Sequence, residues 1–182
     1  MTRGWQLLKY YLGCQEVMFE KIVVGMIAVV IIASTAITVL TDSEVFAQEQ
    51  KFTAQLSGQE EVPPTNSQAT GMGEGTVVGQ SIEWTLNASN IQGVTAGHVH
   101  AGKQGENGPI VVTLFKYDPP MNEVSESGTI TADKLEGPMA GKQISDLVTA
   151  GANGTLYVNI HTEQNPNGEI RGQVTPSSTG GQ

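Results

Sequence analysis

The hydrophobic positions of this chain fall into two regimes. From Ile22 to Leu40 apolar and small residues run for nineteen positions without a charge, between Lys21 and Asp42. Beyond Gln48 apolar residues instead alternate with polar ones over short runs, and glycine, proline, asparagine and serine separate the runs. A period of two marks strands, whose successive side chains face opposite sides of a sheet. The pattern predicts strands over Lys51 to Ser57, Gly73 to Val78, Ser81 to Ala88, Ala96 to His100, Ile110 to Phe115, Ser125 to Thr131, Thr155 to His161 and Glu169 to Val174. One helical period appears, with Ile144, Leu147 and Val148 at i, i+3 and i+4, and predicts a helix over Gln143 to Ala150 with Gly151 as its stop. Strands of this length and spacing predict an all-β domain, an antiparallel β-sandwich or barrel with Greek-key connections and one N-terminal apolar helix outside it. The expected organisation is a tail plus signal peptide or membrane anchor over 1–47, a β domain over 48–175, and a flexible tail over 176–182. No internal repeat is present, so the domain is a single module.

The apolar run is about as long as a bilayer-spanning helix, which takes ~20 residues. It is followed by Val45-Phe46-Ala47-Gln48, whose residues suit signal-peptidase cleavage after Ala47. Cleaved leader and retained anchor both place the β region outside the cytoplasm, secreted or at the cell surface. Met18, directly before the run, is a second candidate start.

Nine basic against eighteen acidic residues give a net charge of −9. Residues 48–182 hold fourteen acidic and six basic side chains, so the domain carries 6 − 14 = −8. Nucleic-acid binding concentrates the opposite sign, so nucleic acid is excluded as a partner, and the membrane enters only through the N-terminal segment. Cys14 is the one cysteine and precedes the apolar run, so the domain relies on its core and strand ladders without disulfides.

All three histidines lie in two glycine-flanked or β-like segments, Gly97-His98-Val99-His100-Ala101-Gly102 and Tyr157-Val158-Asn159-Ile160-His161-Thr162. His98 and His100 share one face of a strand, and His161 lies opposite the face of Leu156, Val158 and Ile160. If the two strands are neighbours, the rings converge. Three imidazoles with a fourth position left open match a catalytic zinc site, and imidazole suits copper as well. The competing reading is a self-satisfied polar network, with Glu169, Arg171 and Asn159 as the polar shell of the imidazoles.

Other motifs carry less chemistry. Glu60-Glu61-Val62-Pro63-Pro64 reads as an exposed, extended loop that ends an edge strand or meets a partner or a hard cation. Gly102 to Pro109 lacks the features of a nucleotide loop and reads as a mobile rim or lid beside the His-Val-His strand. Asn87 and Asn153 begin Asn-x-Ser/Thr acceptor patterns for glycosylation. No serine stands in a Gly-x-Ser-x-Gly elbow, and Glu61, Glu106 and Glu169 show no spacing typical of a glycosidase pair.

Three motifs occur in an order that carries a family resemblance. They are Phe52-Thr53-Ala54-Gln55-Leu56-Ser57-Gly58 with Glu61-Val62-Pro63-Pro64, then Gly97 to Gly102 with Gly105-Glu106-Asn107-Gly108-Pro109, then Tyr157 to Thr162 with Asn165-Pro166-Asn167-Gly168-Glu169-Ile170-Arg171-Gly172. The stretch from Phe52 to Val174 resembles the CHRD domain, the module repeated in chordin and found singly in secreted microbial proteins. The resemblance implies an extracellular all-β module and no particular ligand. The His-Val-His step is also locally similar to copper/zinc superoxide dismutases, without their second histidine cluster or disulfide pair. The expected fold is accordingly immunoglobulin-like or superoxide-dismutase-like. The expected function is extracytoplasmic binding or structural interaction with an extracellular protein or cell-surface component. The alternative is a copper- or zinc-binding protein, or a metal-dependent enzyme, that uses the three histidines.

Overall fold

The computed structural model describes residues 49–177, so the apolar run, its leader and anchor alternatives, Cys14 and residues 178–182 lie outside the described residues. The strands are β1 (Lys51–Ser57), β2 (Thr70–Val78), β3 (Ser81–Ser89), β4 (Val94–Ala101), β5 (Ile110–Met121), β6 (Val124–Ile130), β7 (Leu156–Thr162), β8 (Ile170–Gln173) and β9 (Thr175–Pro176). They form one antiparallel path in the order β5-β4-β7-β8-β1-β2-β3-β6, with β9 added on β1. The two end strands, β5 and β6, follow one another in the chain, and the Tyr117 hydroxyl donates to Glu126 Oε1 at 2.8 Å across them. The sheet thus curls into a nearly closed barrel, one ladder bent round a core rather than two stacked sheets.

Alternation builds the wall. In β1 Phe52, Ala54 and Leu56 are buried and Gln55 is exposed, while in β3 Ile82 and Leu86 are buried and Glu83, Thr85 and Asn87 face solvent. Each such aliphatic side chain contributes roughly 1.5–3 kcal/mol when taken out of water. Two apolar clusters fill the barrel, one around Leu56, Leu86, Val94, Ile160 and Ile170, the other around Ile82, Val99, Val111, Ile130 and Leu156. Trp84, Leu114 and Val174 pack against both.

The helix α1 (Ile144–Ala152) covers the second cluster with Ile144 and Leu147. Its start is fixed where the Gln143 backbone N–H donates to Asp146 Oδ2 at 2.9 Å. The expected stop at Gly151 is corrected. Gly151 is buried inside the helix, where a β-carbon would come 3.2 Å from the Phe52 ring, and the left-handed residue after the helix is Gly154, at φ +64. The strand ladder also passes the expected domain end. Pro176 pairs with Phe52, and Ser177 N–H donates to Lys51 O at 2.8 Å.

β4 and β7, like the short β8 beside them, are buried on both faces. Val99, Leu156 and Val158 point into the apolar interior with Leu86, Ile130 and Leu147. The opposite, outer face carries His98, His100, Tyr157, Asn159 and His161, and loops cover it. Gly97 permits the close fit of β5 on β4, since a β-carbon there would collide with the Phe115 ring.

Candidate metal centre

β4 and β7 are hydrogen-bonded neighbours, as convergence of the rings requires. Their register sets Ala96 opposite His161, His98 opposite Asn159 and His100 opposite Tyr157. His161 therefore sits diagonally from His98, within reach of a side chain leaning along the strand. Ring centroids are 4.9 Å apart for His98 and His161, and 5.7 Å for His98 with His100 and for His100 with His161. One nitrogen from each ring lies within 4.8 Å of the other two. Among the described residues this is the one group of three His, Cys, Asp or Glu side chains placed to share an ion. Three atoms so spaced fit a circle of about 2.8 Å radius, so each needs to move by less than ~1 Å to make metal bonds of ~2.0–2.1 Å.

Two backbone carbonyls orient the rings. His100 Nδ1 lies 2.9 Å from Gly108 O, and His161 Nδ1 lies 3.1 Å from Pro166 O. A carbonyl only accepts, so each Nδ1 carries the proton and each Nε2 keeps a free lone pair. His100 Nε2, His161 Nε2 and His98 Nδ1 are all buried without a hydrogen-bond partner. Burial lowers the pKa of all three rings. That of His98 falls to about 4, helped by His161, His100 and Lys116 and opposed by Glu136. The Arg171 guanidinium adds to the lowering at His100 against the Gly108 carbonyl bond, and His100 does so at His161 against the Pro166 bond. At neutral pH the cluster is three uncharged imidazoles, the form in which histidine binds metal, and on His100 and His161 the unprotonated Nε2 is the buried, unpartnered nitrogen.

The expected polar shell is only partly beside them. Asn159 stands between Tyr157 and His161 on the same face, 2% exposed. Arg171, 1% exposed, reaches the cluster indirectly: its Cζ lies 3.5 Å from the centre of the Tyr157 ring, which stacks on His100 at 4.9 Å and 11°. Its donors go to Lys103 O at 2.9 Å and Asn107 Oδ1 at 3.3 Å. Glu169 turns elsewhere, accepting from Ser67 Oγ at 2.7 Å, Thr162 Oγ1 at 2.6 Å and Asn165 Nδ2 at 3.1 Å. No carboxylate hydrogen-bonds an imidazole among the described residues, so the network in which acids, arginine and histidines satisfy one another does not form. Hydroxyl and amide donors supplied by Ser67, Thr162 and Asn165 complete Glu169 instead.

Two site residues were not singled out by the sequence. Tyr157 was visible only as the first member of the Tyr157, Asn159, His161 alternation. Glu61, read as part of an exposed loop, is 5% exposed. Its Oε2 accepts from Asn159 Nδ2 at 3.4 Å and its Oε1 has no partner. Burial raises its pKa to about 7, against the pull of Arg171, Asn159 and the Val62 backbone. The strand it follows is no edge, because β1 lies between β8 and β2. Only a glycine fits over this pair: at Gly168, φ +132, a β-carbon would come 2.6 Å from both Glu61 Oε1 and Asn159 Nδ2.

The loop from Gly102 to Pro109 is a fixed rim. Beyond its bonds to His100 and Arg171, Asn107 Nδ2 donates to Val62 O at 2.7 Å and Gly108 N–H donates to the Tyr157 hydroxyl at 3.1 Å. Asn87 in β3 and Asn153 after α1 are both exposed, away from the histidines in the chain.

A comparison with curated proteins finds no match. Residues 52–174, more than half of the sequence, match the CHRD domain. The matched span contains β2 to β8, all of β1 but Lys51, and all three histidines, and the chain belongs to the CHRD domain family.

Proposed function

We propose that this chain is an exported CHRD module that holds one zinc or copper ion through His98, His100 and His161. The observation that carries the reading is the set of three buried ring nitrogens with no partner, on rings that burial keeps neutral. An unpartnered buried acceptor costs about 1–3 kcal/mol, and three facing one another are costly unless something they can ligate lies between them. The Gly108 and Pro166 carbonyls act as the outer hydrogen-bond partners that metal-bound imidazoles commonly have, fixing tautomer and ring angle. An all-imidazole set without thiolate or carboxylate suits zinc and copper rather than calcium or magnesium. Export is supported by the apolar run and the cleavage-like Val45-Phe46-Ala47 step.

Equilibrium dialysis of the full chain against zinc and against copper, followed by elemental analysis, tests the site. The expected result is one ion per chain in the wild type and at least tenfold weaker binding in each of His98→Ala, His100→Ala and His161→Ala. Circular dichroism should show each variant still folded. Wild-type protein that takes up no more metal than the folded variants overturns the reading.

A further inference from the structure

We infer that the barrel interior is a second binding site, separate from the histidines, which takes up the end of an uncharged alkyl chain. The two apolar clusters of the core leave a cavity of about 80 Å³ where they meet. Ala54, Leu86 and Val158 line it from one cluster, and Val99, Ile130 and Leu147 from the other. Val99 and Val158 belong to the β4–β7 wall whose outer face carries the imidazoles. The cavity lies behind that wall, so the inference does not depend on the metal reading.

The space originates in β2. Gly71, Gly73 and Gly75 alternate with the exposed Met72 and Glu74, so the inner face of this strand carries no side chain at three successive inward positions. The register runs on unbroken, with Gly73 between Ala54 and Leu86 and Gly75 between Phe52 and Trp84. Glycine weakens a strand, and inside one it marks a bulge, a tight bend or a close approach by another group. At Gly73 no protein group makes that approach. A β-carbon there would stand 3.5 Å from Leu86 Cδ1 and 3.8 Å from the Ala54 β-carbon, both ordinary contacts, and Gly73 is not one of the left-handed glycines. Gly97 is the contrast, since a β-carbon there would collide with Phe115. What glycine leaves at position 73 is room.

The wall sets the chemistry of the occupant. Thr53, Glu74 and Thr85 border the cavity from outward positions paired across β1, β2 and β3, so their backbone meets it where Gly73 and Gly75 leave the sheet bare. None of the buried polar side-chain atoms without a partner among the described residues belongs to this wall. A group inside makes no hydrogen bond, and a charge there would be buried unpaired. Apolar cavities of this kind stay dry and bind apolar molecules, and one of about 150 Å³ in another protein accepts benzene or xenon. The smaller space here suits xenon or the last few carbons of an alkyl chain.

Its position favours a chain end over a free hydrocarbon. Val148 of α1 and Val174 after β8 also line the cavity and are only half-buried, so it runs toward the surface between the helix and the end of β8. A barrel of eight strands has an interior just wide enough for its own side chains or for one small ligand. A chain entering from that side fills the space with its terminal carbons and keeps its head in water. The −8 charge of residues 48–182 disfavours an anionic head, so the ligand class is uncharged, with an alkyl tail and a neutral polar end.

The test records methyl NMR spectra of the full chain under xenon, and then with 1-butanol, 1-hexanol and 1-octanol in turn. Xenon should give saturable shifts at the methyls of Leu86, Leu147 and Val158, which line the cavity. The alcohols should shift the same methyls, with affinity rising about fourfold for each CH₂ added until the space is full. Gly73→Val, which fills the room from β2, should weaken alcohol binding by about tenfold or more. Gly73→Ala should weaken it by about threefold without lowering the denaturation midpoint, since alanine fits and glycine weakens a strand. If Gly73→Val does not fold, Gly73→Ala decides. Xenon that leaves these methyls unmoved overturns the cavity itself. Xenon binding with no alcohol binding, or alcohol affinities indifferent to chain length, overturns the alkyl-chain assignment. Alcohol affinities that Gly73→Ala leaves equal to those of the wild type place the ligand elsewhere and overturn the site.

Discussion

Glu61 and His98 should cancel one another in the pH dependence of stability, and removing Glu61 should expose the imbalance. His98 falls from 6.5 to about 4 on folding. Between those values the unfolded chain binds a proton that the folded chain refuses, so stability is lost as pH falls from 6.5 toward 4. Glu61 rises from 4.5 to about 7. Between those values the folded chain keeps a proton that the unfolded chain has released, so this contribution is lost as pH rises from 4.5 toward 7. From pH 4.5 to 6.5 the two differences in bound protons, unfolded minus folded, are +1 for His98 and −1 for Glu61, and their sum is zero. Glu61→Gln preserves shape and removes the second. One unbalanced proton changes stability by about 1.4 kcal/mol per pH unit, so the variant should lose about 2–3 kcal/mol relative to wild type between pH 6.5 and 4.5. His100 and His161 are lowered in both proteins and drop out of the comparison. Urea denaturation of both full chains with a chelator present, at intervals from pH 4.5 to 6.5, measures the difference. Parallel stability curves would refute the assignment of a protonated carboxyl and a neutral imidazole to the same wall.

Arg171→Ala should cost about 2–4 kcal/mol by denaturant titration, since it strips the stack on Tyr157 and two donors from the rim loop. Arg171→Lys should recover little of this, because a point charge cannot replace the planar fork. Gly168→Ala should cost about 1–3 kcal/mol by forcing a side chain into a left-handed backbone against Glu61 and Asn159. Tyr157→Phe, which deletes one partner of Gly108 N–H, should cost only about 1 kcal/mol in the same assay. Zinc at a hundred times its dissociation constant should raise wild-type stability by about 2.7 kcal/mol and leave a variant with all three histidines replaced unchanged.

The strands were legible where one face meets water. β1 and β3 alternate Phe52, Ala54, Leu56 and Ile82, Leu86 with polar residues, and a period of two follows directly from that exposure. β5 was expected to end at Phe115 but continues to Met121, because Lys116, Asp118, Pro119 and Pro120 break the pattern while β-bulges keep the ladder with β4 in step. The choice between sandwich and barrel lay in the order of strands across the sheet, which no local pattern encodes. The histidines were legible as a set because His98-Val99-His100 and Tyr157-Val158-Asn159-Ile160-His161 fix their faces, and neighbouring strands did the rest. Glu61 was not legible. Its burial depends on the segment after β1 folding back onto Asn159, a contact ninety-eight residues distant in sequence. Glu169 misled for a related reason: its spacing from Arg171 suggested a shared face, but it lies just before β8 and is satisfied by Ser67, Thr162 and Asn165.

Convergence of three imidazoles on one ion is most directly measured by X-ray absorption at the zinc edge on the zinc-loaded full chain. The predicted first shell is three imidazole nitrogens and one oxygen at about 2.0–2.1 Å, falling to two imidazoles in His161→Ala. A shell made of oxygens alone, or one that His161→Ala leaves unchanged, would contradict the account.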